Sequence, residues 1–407
     1  MIMTLKLAWR NIWRNRRRTV IILTAIVVGL LGMVYMIAIM DGMRIDMVNT
    51  TIKNGVGHIQ IHRKGFTDNM NVSLHIRYPE NLVKYIEGTP NLVNYAERVK
   101  VRGLVSSPEG SSGVEIWGID HMREPDVSSI ATYVKEGGFL SGEKGEIYIG
   151  RSLSEKLEVG LDDKIVLMSQ GLASEFGTAA YRVKGIFEST SSEYDKYNVF
   201  INISDAQALL FMNRRISEIV IMADDLENVD VLSAALKENI MGDYEILTWE
   251  EIMPLIVQMV EMFSAFNYVV FLIVIVAMAF GIVNTILMSV LERTREIGIL
   301  MAIGTKPIKI FSMVMWEGFF LGLVGVFSGW VVSLLIYAVV SRTGIDISIW
   351  ADSLKYMGGI SPILYPIILS NNAFWSTISV LIATFVSSLY PAFKIMRLSP
   401  VRAIRDA

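Results

Sequence analysis

The densest chemistry in the chain is the run Glu292-Arg293-Thr294-Arg295-Glu296, followed by Ile297-Gly298-Ile299-Leu300 and then Ala302-Ile303-Gly304. Two carboxylates and two guanidinium groups in one and a half helical turns suit electrostatic docking of a partner. They do not have the spacing of a catalytic pair. The run lies between two uncharged stretches, Met262–Leu291 and Gly318–Ser341. A short amphipathic charged helix held between two membrane helices is placed to touch a protein at the membrane surface. The expected contact residues are Glu292, Arg293, Thr294, Arg295, Glu296, Ile297, Gly298, Leu300 and Gly304.

No other constellation reads as a catalytic site. There is no G-x-x-x-x-G-K-[S/T], and no lysine is followed by Ser or Thr, so a P-loop is excluded. There is no H-E-x-x-H, nucleophile elbow or glycine-rich dinucleotide loop. The chain has no cysteine, which excludes disulfides and thiolate metal sites. His58 and His62 fall in an alternating, strand-like stretch. Four residues of strand span about 13 Å, too far for one ion to bridge, so no metal site is expected. Glu317 stands alone at one end of an apolar run, and an acid in a membrane helix is a functional candidate by default. Its nearness to Lys309 favours a structural or coupling role over proton transport.

These groups must be positioned by a membrane scaffold. The 407 residues are 52% hydrophobic, with a mean hydropathy of +0.45, too apolar for a soluble protein of this size. Four spans are expected, at residues 19–40, 263–291, 310–341 and 373–393, since a span needs about 20 apolar residues. Residues 41–262 hold 21 Lys/Arg against 34 Asp/Glu, whereas the remainder holds 16 against 6. The basic clusters at Lys6–Arg18, Arg293–Lys309 and Lys394–Arg405 must share a side, and the positive-inside rule makes that side cytoplasmic. Residues 1–18 then form a cytoplasmic interfacial helix, 41–262 an external domain, 292–309 a cytoplasmic segment, 342–372 an external loop and 394–407 a cytoplasmic tail. Span one, with 22 apolar residues and no A-x-A site after it, reads as an uncleaved anchor. The arginines before it signal topology and lipid contact, and no nucleic-acid partner is expected.

Span one extends outward with Met33, Met36, Met40, Met43 and Met47 at alternating spacings of three and four. Leu255, Met259, Met262, Phe263 and Phe266 mirror this seam ahead of span two. The seam reads either as packing between long stalk helices or as a soft lining for acyl chains, because methionine adapts to varied shapes. The candidate lining is Met33, Met36, Met40, Met43, Met259, Met262, Phe263 and Phe266. Gly318, Gly322, Gly325 and Gly329 form G-x-x-x-G pairs that let helix backbones approach in lipid. In the outer loop, Trp350, Tyr356 and the apolar Pro362–Leu369 are expected to dip into the interface.

The external region alternates strand and helix signals. Strands are expected at Gly57–His62, Val99–Ser107, Val114–Ile119, Glu146–Ile149, Ile165–Ser169, Tyr181–Glu188, Val199–Ile203, Ile216–Met222 and Glu245–Thr248. Helices are expected at Ser152–Leu157 and near Val229–Asn239, and Ser204-Asp205-Ala206-Gln207 reads as a capping box. The result is an α+β domain with residues of about 125–212 inserted into a first subdomain.

Several stretches carry a family resemblance: Ala8-Trp9-Arg10-Asn11-Ile12-Trp13-Arg14 with Asn15–Arg18, the run Glu292–Leu300, and the tail Leu398–Arg405. In the external domain they are joined by Gly185–Glu188, Glu193–Asp195, Val199–Ile201, Asp205–Gln207 and Thr248–Glu251. With its one-plus-three arrangement of spans, the chain resembles the FtsX/MacB superfamily of ABC transporter permeases, and within it the lipoprotein-releasing LolC/LolE group. The resemblance implies a membrane α-helical fold of four spans plus an α+β extracytoplasmic domain of MacB-like Porter/Sabre type. It implies a bacterial inner-membrane location, a cytoplasmic ABC ATPase dimer that brings the ATP and Mg²⁺, and a second permease subunit, the same or homologous. ATP-driven motion would push on residues 292–304, and lipoprotein cargo would leave the outer leaflet by mechanotransmission. In LolC-type subunits a hairpin hook captures a soluble periplasmic chaperone. The matching stretch Gln170–Thr178 is short, so two readings stand: a chaperone-facing loop of Gln170, Leu172 and Phe176, or a hookless subunit. The alternatives within the superfamily are a MacB-like exporter and an FtsX-like signalling scaffold that controls cell-wall hydrolases.

Overall fold

The computed structural model describes residues 2–350 and 363–397. Tyr356, Pro362 and the tail motif Leu398–Arg405 lie outside the described residues. The chain divides into two compact units. The first comprises residues 1–44, 260–346 and 363–407, and the second comprises 45–259 and 347–362.

The first unit is helical. Helix α1 (Ile2–Arg14) ends where the Thr19 hydroxyl donates to the Ile12 carbonyl, and α2 (Arg16–Thr51) begins two residues on. Among the described residues, four helices are long and apolar enough to cross a membrane: Arg16–Val56, Pro254–Glu292, Pro307–Thr343 and Ser370–Met396. Ile12, Ile26, Leu30, Met33, Ile282, Ile286, Val314, Leu321 and Val380 form its apolar core. On α1 the inward residues are Ala8 and Ile12, while Trp9 and Trp13 stay half exposed.

The glycines of the Pro307–Thr343 helix set its neighbours. A Cβ at Gly325 would come 2.6 Å from Ile26, and one at Gly329 would come 2.7 Å from Leu30. A Cβ at Gly322 would meet Thr384 at 3.2 Å, and one at Gly318 would overlap Ser388. One end of the glycine row therefore seats α2 and the other seats the Ser370–Met396 helix. The Tyr35 hydroxyl donates to the Ser333 carbonyl at 2.9 Å, closing the α2 side.

The second unit is built on one ten-stranded sheet. Its strands are β1 (Ile59–Arg63), β2 (Leu92–Ser106), β3 (Ser111–Ile119), β4 (Val134–Gly137), β5 (Glu146–Gly150), β6 (Lys164–Gln170), β7 (Phe176–Phe187), β8 (Asn198–Asn202), β9 (Glu218–Ala223) and β10 (Tyr244–Thr248). The order is β10-β1-β9-β2-β3-β8-β5-β7-β4, with β6 pairing β2 and β7. Strands β4 to β8, from the proposed insertion, form one half of this sheet. Helices at Arg151–Leu157, Ile203–Leu209 and Val229–Asn239 cover it.

Two expectations are corrected. The Ser204–Gln207 capping box does not form. The helix begins at Ile203 after Asn202, which makes no side-chain cap, because Asp205 accepts from Gly145 N at 2.8 Å and Gln207 donates to the Arg215 carbonyl. A capping box forms instead at Thr248 and Glu251. The hairpin after β2 is also tighter than expected, with Ser106 paired to Ser111.

Candidate functional site

The charged run folds as a short helix, α3 (Thr294–Ala302), set off from the 254–292 helix by a break at Arg293. Thr294 Oγ1 donates back to the Leu291 carbonyl at 2.8 Å and fixes the corner. Its far end closes in a Schellman arrangement, with Gly304 N donating to Met301 O and Thr305 N to Leu300 O. Gly304 sits at φ +97 with open space around it, so backbone conformation rather than crowding requires glycine there. Ile297 and Gly298 are buried, and Leu300 and Met301 pack on the helical core. Glu292, Arg295, Glu296, Ile299 and Ile303 are exposed. One face therefore anchors the helix and the other is exposed.

An ionic chain ties this helix to three others. Arg14 Nη2 reaches Glu296 Oε2 at 2.6 Å, and Arg293 Nε reaches the same oxygen at 3.3 Å. Arg293 Nη1 lies 3.7 Å from Glu317 Oε2, and Arg18 Nη2 binds Glu317 Oε1 at 3.0 Å. The sequence Arg14–Glu296–Arg293–Glu317–Arg18 thus joins α1, α3, the 307–343 helix and α2. The hydrogen bond from Arg14 holds the Glu296 carboxyl below the usual carboxylate range, with Arg293 adding to it. The outer pair is half exposed and contributes little to stability. Glu317 is only 7% exposed, so its charge depends on the two arginines. Sequence reasoning found Glu317 as a lone acid but read Arg14 and Arg18 as topology signals and lipid contacts. The missed clue was that a buried acid needs a cation.

A second cluster lies in the sheet unit, where α2 ends in a π-helical turn, Ile52–Val56. Gly55 there has φ +109, and a Cβ on it would come 2.6 Å from the Trp117 ring. Fully buried Arg98 donates to the Gly55 carbonyl, to Glu124 at 2.9 and 2.6 Å, and to Glu218 at 3.3 Å. Lys100 Nζ sits 3.6 Å above the Trp117 ring and 3.5 Å from Glu218. Burial alone would raise the Glu218 carboxyl, but Lys100 and Arg98 more than offset it and hold it below its ordinary range. Tyr194 and Tyr133 hydroxyls donate to Asn54 O and Oδ1, both at 2.7 Å. The turn is thereby clamped to β2 and β3, a device that sequence reasoning did not foresee.

The histidines have separate partners. His58 Nδ1 accepts from Ala223 N at 2.9 Å, and His62 Nε2 faces Gln60 Oε1 at 2.9 Å. Among the described residues no group of three His, Cys, Asp or Glu is arranged to hold a metal.

The methionine seam divides by burial. Met33 packs in the helical core, while Met36, Met40, Met43, Met259 and Phe263 are half-buried. Met262 and Phe266 are 60% and 47% exposed. In the short 170–178 turn, Gln170 and Phe176 are exposed, Phe176 to 71%. Leu172 packs against the sheet core, and its N–H donates to the Leu210 carbonyl at 3.0 Å.

The chain is similar to known proteins over most of its length. The model of the MacB-like periplasmic core domain matches residues 19–239, and that of the FtsX-like permease C-terminal region matches residues 268–400. A lipoprotein-releasing system transmembrane protein LolC of Neisseria meningitidis is 22% identical over 400 residues, covering 95% of this chain and 94% of its own. LolC of Xylella fastidiosa is 24% identical over 302 residues, covering 71% of this chain and 72% of its own. A pyoverdine export ATP-binding/permease protein, PvdT, of Pseudomonas syringae is 25% identical over 362 residues, covering 84% of this chain and 53% of its own. The crystal structure of the periplasmic region of MacB from Actinobacillus actinomycetemcomitans aligns with 50% of this chain and 93% of its own, at 17% identity and a TM-score of 0.35. With more than half of its length matched by one family model, four long apolar helices and an α+β sheet unit, the chain belongs to the FtsX/MacB family of ABC transporter permeases.

Proposed function

We propose that this chain is the permease subunit of an ABC transporter that extracts lipoproteins from the outer leaflet of the bacterial inner membrane. Its basic ends face the cytoplasm and its sheet unit faces the periplasm, as its charge asymmetry favours. A separate ATPase dimer binds and hydrolyses ATP with Mg²⁺, and a second permease subunit, the same or homologous, completes the membrane part.

The observation that carries this reading is the Arg14–Glu296–Arg293–Glu317–Arg18 chain. A displacement of α3 by the ATPase pulls on Glu296 and Arg293, and through Glu317 on the 307–343 helix and α2. Helix α2 ends at Thr51, directly before the turn that Arg98 holds to the sheet. Moving an acyl chain out of a bilayer costs about 0.8 kcal/mol per CH₂, so on the order of 10 kcal/mol per chain, and release needs ATP. The exposed Met262 and Phe266, with the half-buried Met36, Met40 and Met43, offer acyl chains an apolar lining. In the 170–178 turn, Phe176 offers an apolar contact to a periplasmic chaperone. The likeness to LolC over nearly the whole chain favours lipoprotein release over export, although a PvdT relative keeps export as the second reading.

Native mass spectrometry of the complex purified in mild detergent with its ATPase tests this. The expected result is a bound acylated protein that leaves on adding ATP. A complex that retains peptide or siderophore, and never acylated protein, would overturn the reading in favour of export.

A further inference from the structure

A groove of about 520 Å³ runs between the 307–343 and 370–396 helices. Met315 forms its nearly buried floor, and Ile308, Ser312, Trp316, Phe385 and Leu389 are among its walls. It extends along the 307–343 helix from Ile308 to Phe319, about 16 Å at 1.5 Å per residue. That is about half of a ~30 Å hydrocarbon core, the depth of one leaflet.

The groove lies toward the basic end of the helices. Lys309 stands three and seven positions before Ser312 and Trp316, on the same face of its helix. On the other wall, Arg397 continues the stripe Phe385, Leu389, Phe393 at steps of four, as the C-cap of its helix. The two walls converge there, with the Phe311 and Phe393 rings 5.2 Å apart. Lys309 and Arg397 are both exposed, and among the described residues neither has an ion-pair partner.

We propose that this groove is a binding site for an anionic phospholipid, with one acyl chain between Trp316 and Phe385 and the phosphate between Lys309 and Arg397. The apolar length fits a single leaflet, and the cations of Lys309 and Arg397 sit where a headgroup would lie. Basic pockets between membrane helices recognise such headgroups.

The test uses the full-length permease, purified with its ATPase, in nanodiscs of equal phosphatidylcholine and phosphatidylglycerol. Lipid retained after release is read by native mass spectrometry. Wild type should retain phosphatidylglycerol over phosphatidylcholine, by about fivefold for each basic residue engaged. Lys309→Glu with Arg397→Glu should abolish that preference, and Lys309→Arg should keep it. Met315→Trp, which fills the groove and leaves both charges in place, should also lose the retained lipid. Equal retention of both lipids by wild type would overturn the proposal. So would a preference that survives both the charge and the groove variants. Loss of the ATPase with undiminished lipid preference in the charge variant would assign the basic pair to the ATPase, and would equally overturn it.

Discussion

Glu317 and Arg98 are each buried and charged, and each is tolerable only because of what surrounds it. Glu317 has Arg18 at 3.0 Å and Arg293 at 3.7 Å, while Arg98 has Glu124 at 2.6 Å and Glu218 at 3.3 Å. Removing one member leaves the others buried without compensation, a cost of about 3–5 kcal/mol. Arg98→Met should therefore lower the thermal unfolding temperature of the full chain by several degrees, and an unchanged melting curve would contradict the clamp. At this scale the sequence was half legible. An acid inside an apolar run was visible as an anomaly, but its partner Arg18 is 299 positions away, among arginines that topology already explained. Arg98 left no trace at all, since an arginine in an alternating strand normally points to solvent.

The elements were read more completely, because periodicity reports on each helix and strand locally. The Val229–Asn239 helix and the four long apolar helices were plain in the sequence. Strand β4 was missed because Val134–Gly137 is short and exposed at every residue, and so carries no alternation. The cap at Ser204 misled because side chains there bond to distant segments. Two predictions belong here. Gly304→Ala would force a Cβ into φ +97, costing about 1–2 kcal/mol at the end of α3. Coupled ATP turnover should fall while assembly persists, and wild-type turnover would show that the turn is not under this constraint. The second concerns pH. Burial lowers the His62 pKa from 6.5, with Glu218 opposing and Lys100 reinforcing the shift. The unfolded chain then binds more protons than the folded one below about pH 6.5, so this contribution to stability is present above that pH and is lost as pH falls. Unfolding temperature should drop between about pH 7 and 5.5, and less steeply in His62→Gln. Parallel profiles would contradict it.

At the scale of the whole molecule, the fold class was legible because membrane spans and charge asymmetry are properties of composition, whereas the family was legible through the resemblance carried by runs such as Glu292–Leu300. Cargo is a different matter, since it depends on surfaces that a second subunit and a lipid bilayer complete. Met36, Met40 and Phe266 replaced by Asp should block cargo entry and leave basal ATPase activity intact, whereas normal release would reduce those residues to packing. On the proposed function, ATPase motion enters through α3 and its ionic chain. The most direct test reverses the charges of Glu292 and Glu296 to lysine in the reconstituted complex. ATPase association and cargo-stimulated ATP hydrolysis are then measured side by side. The account predicts that the ATPase detaches or that stimulation is lost while the permease stays folded. Unchanged complex formation with unchanged stimulation would contradict it.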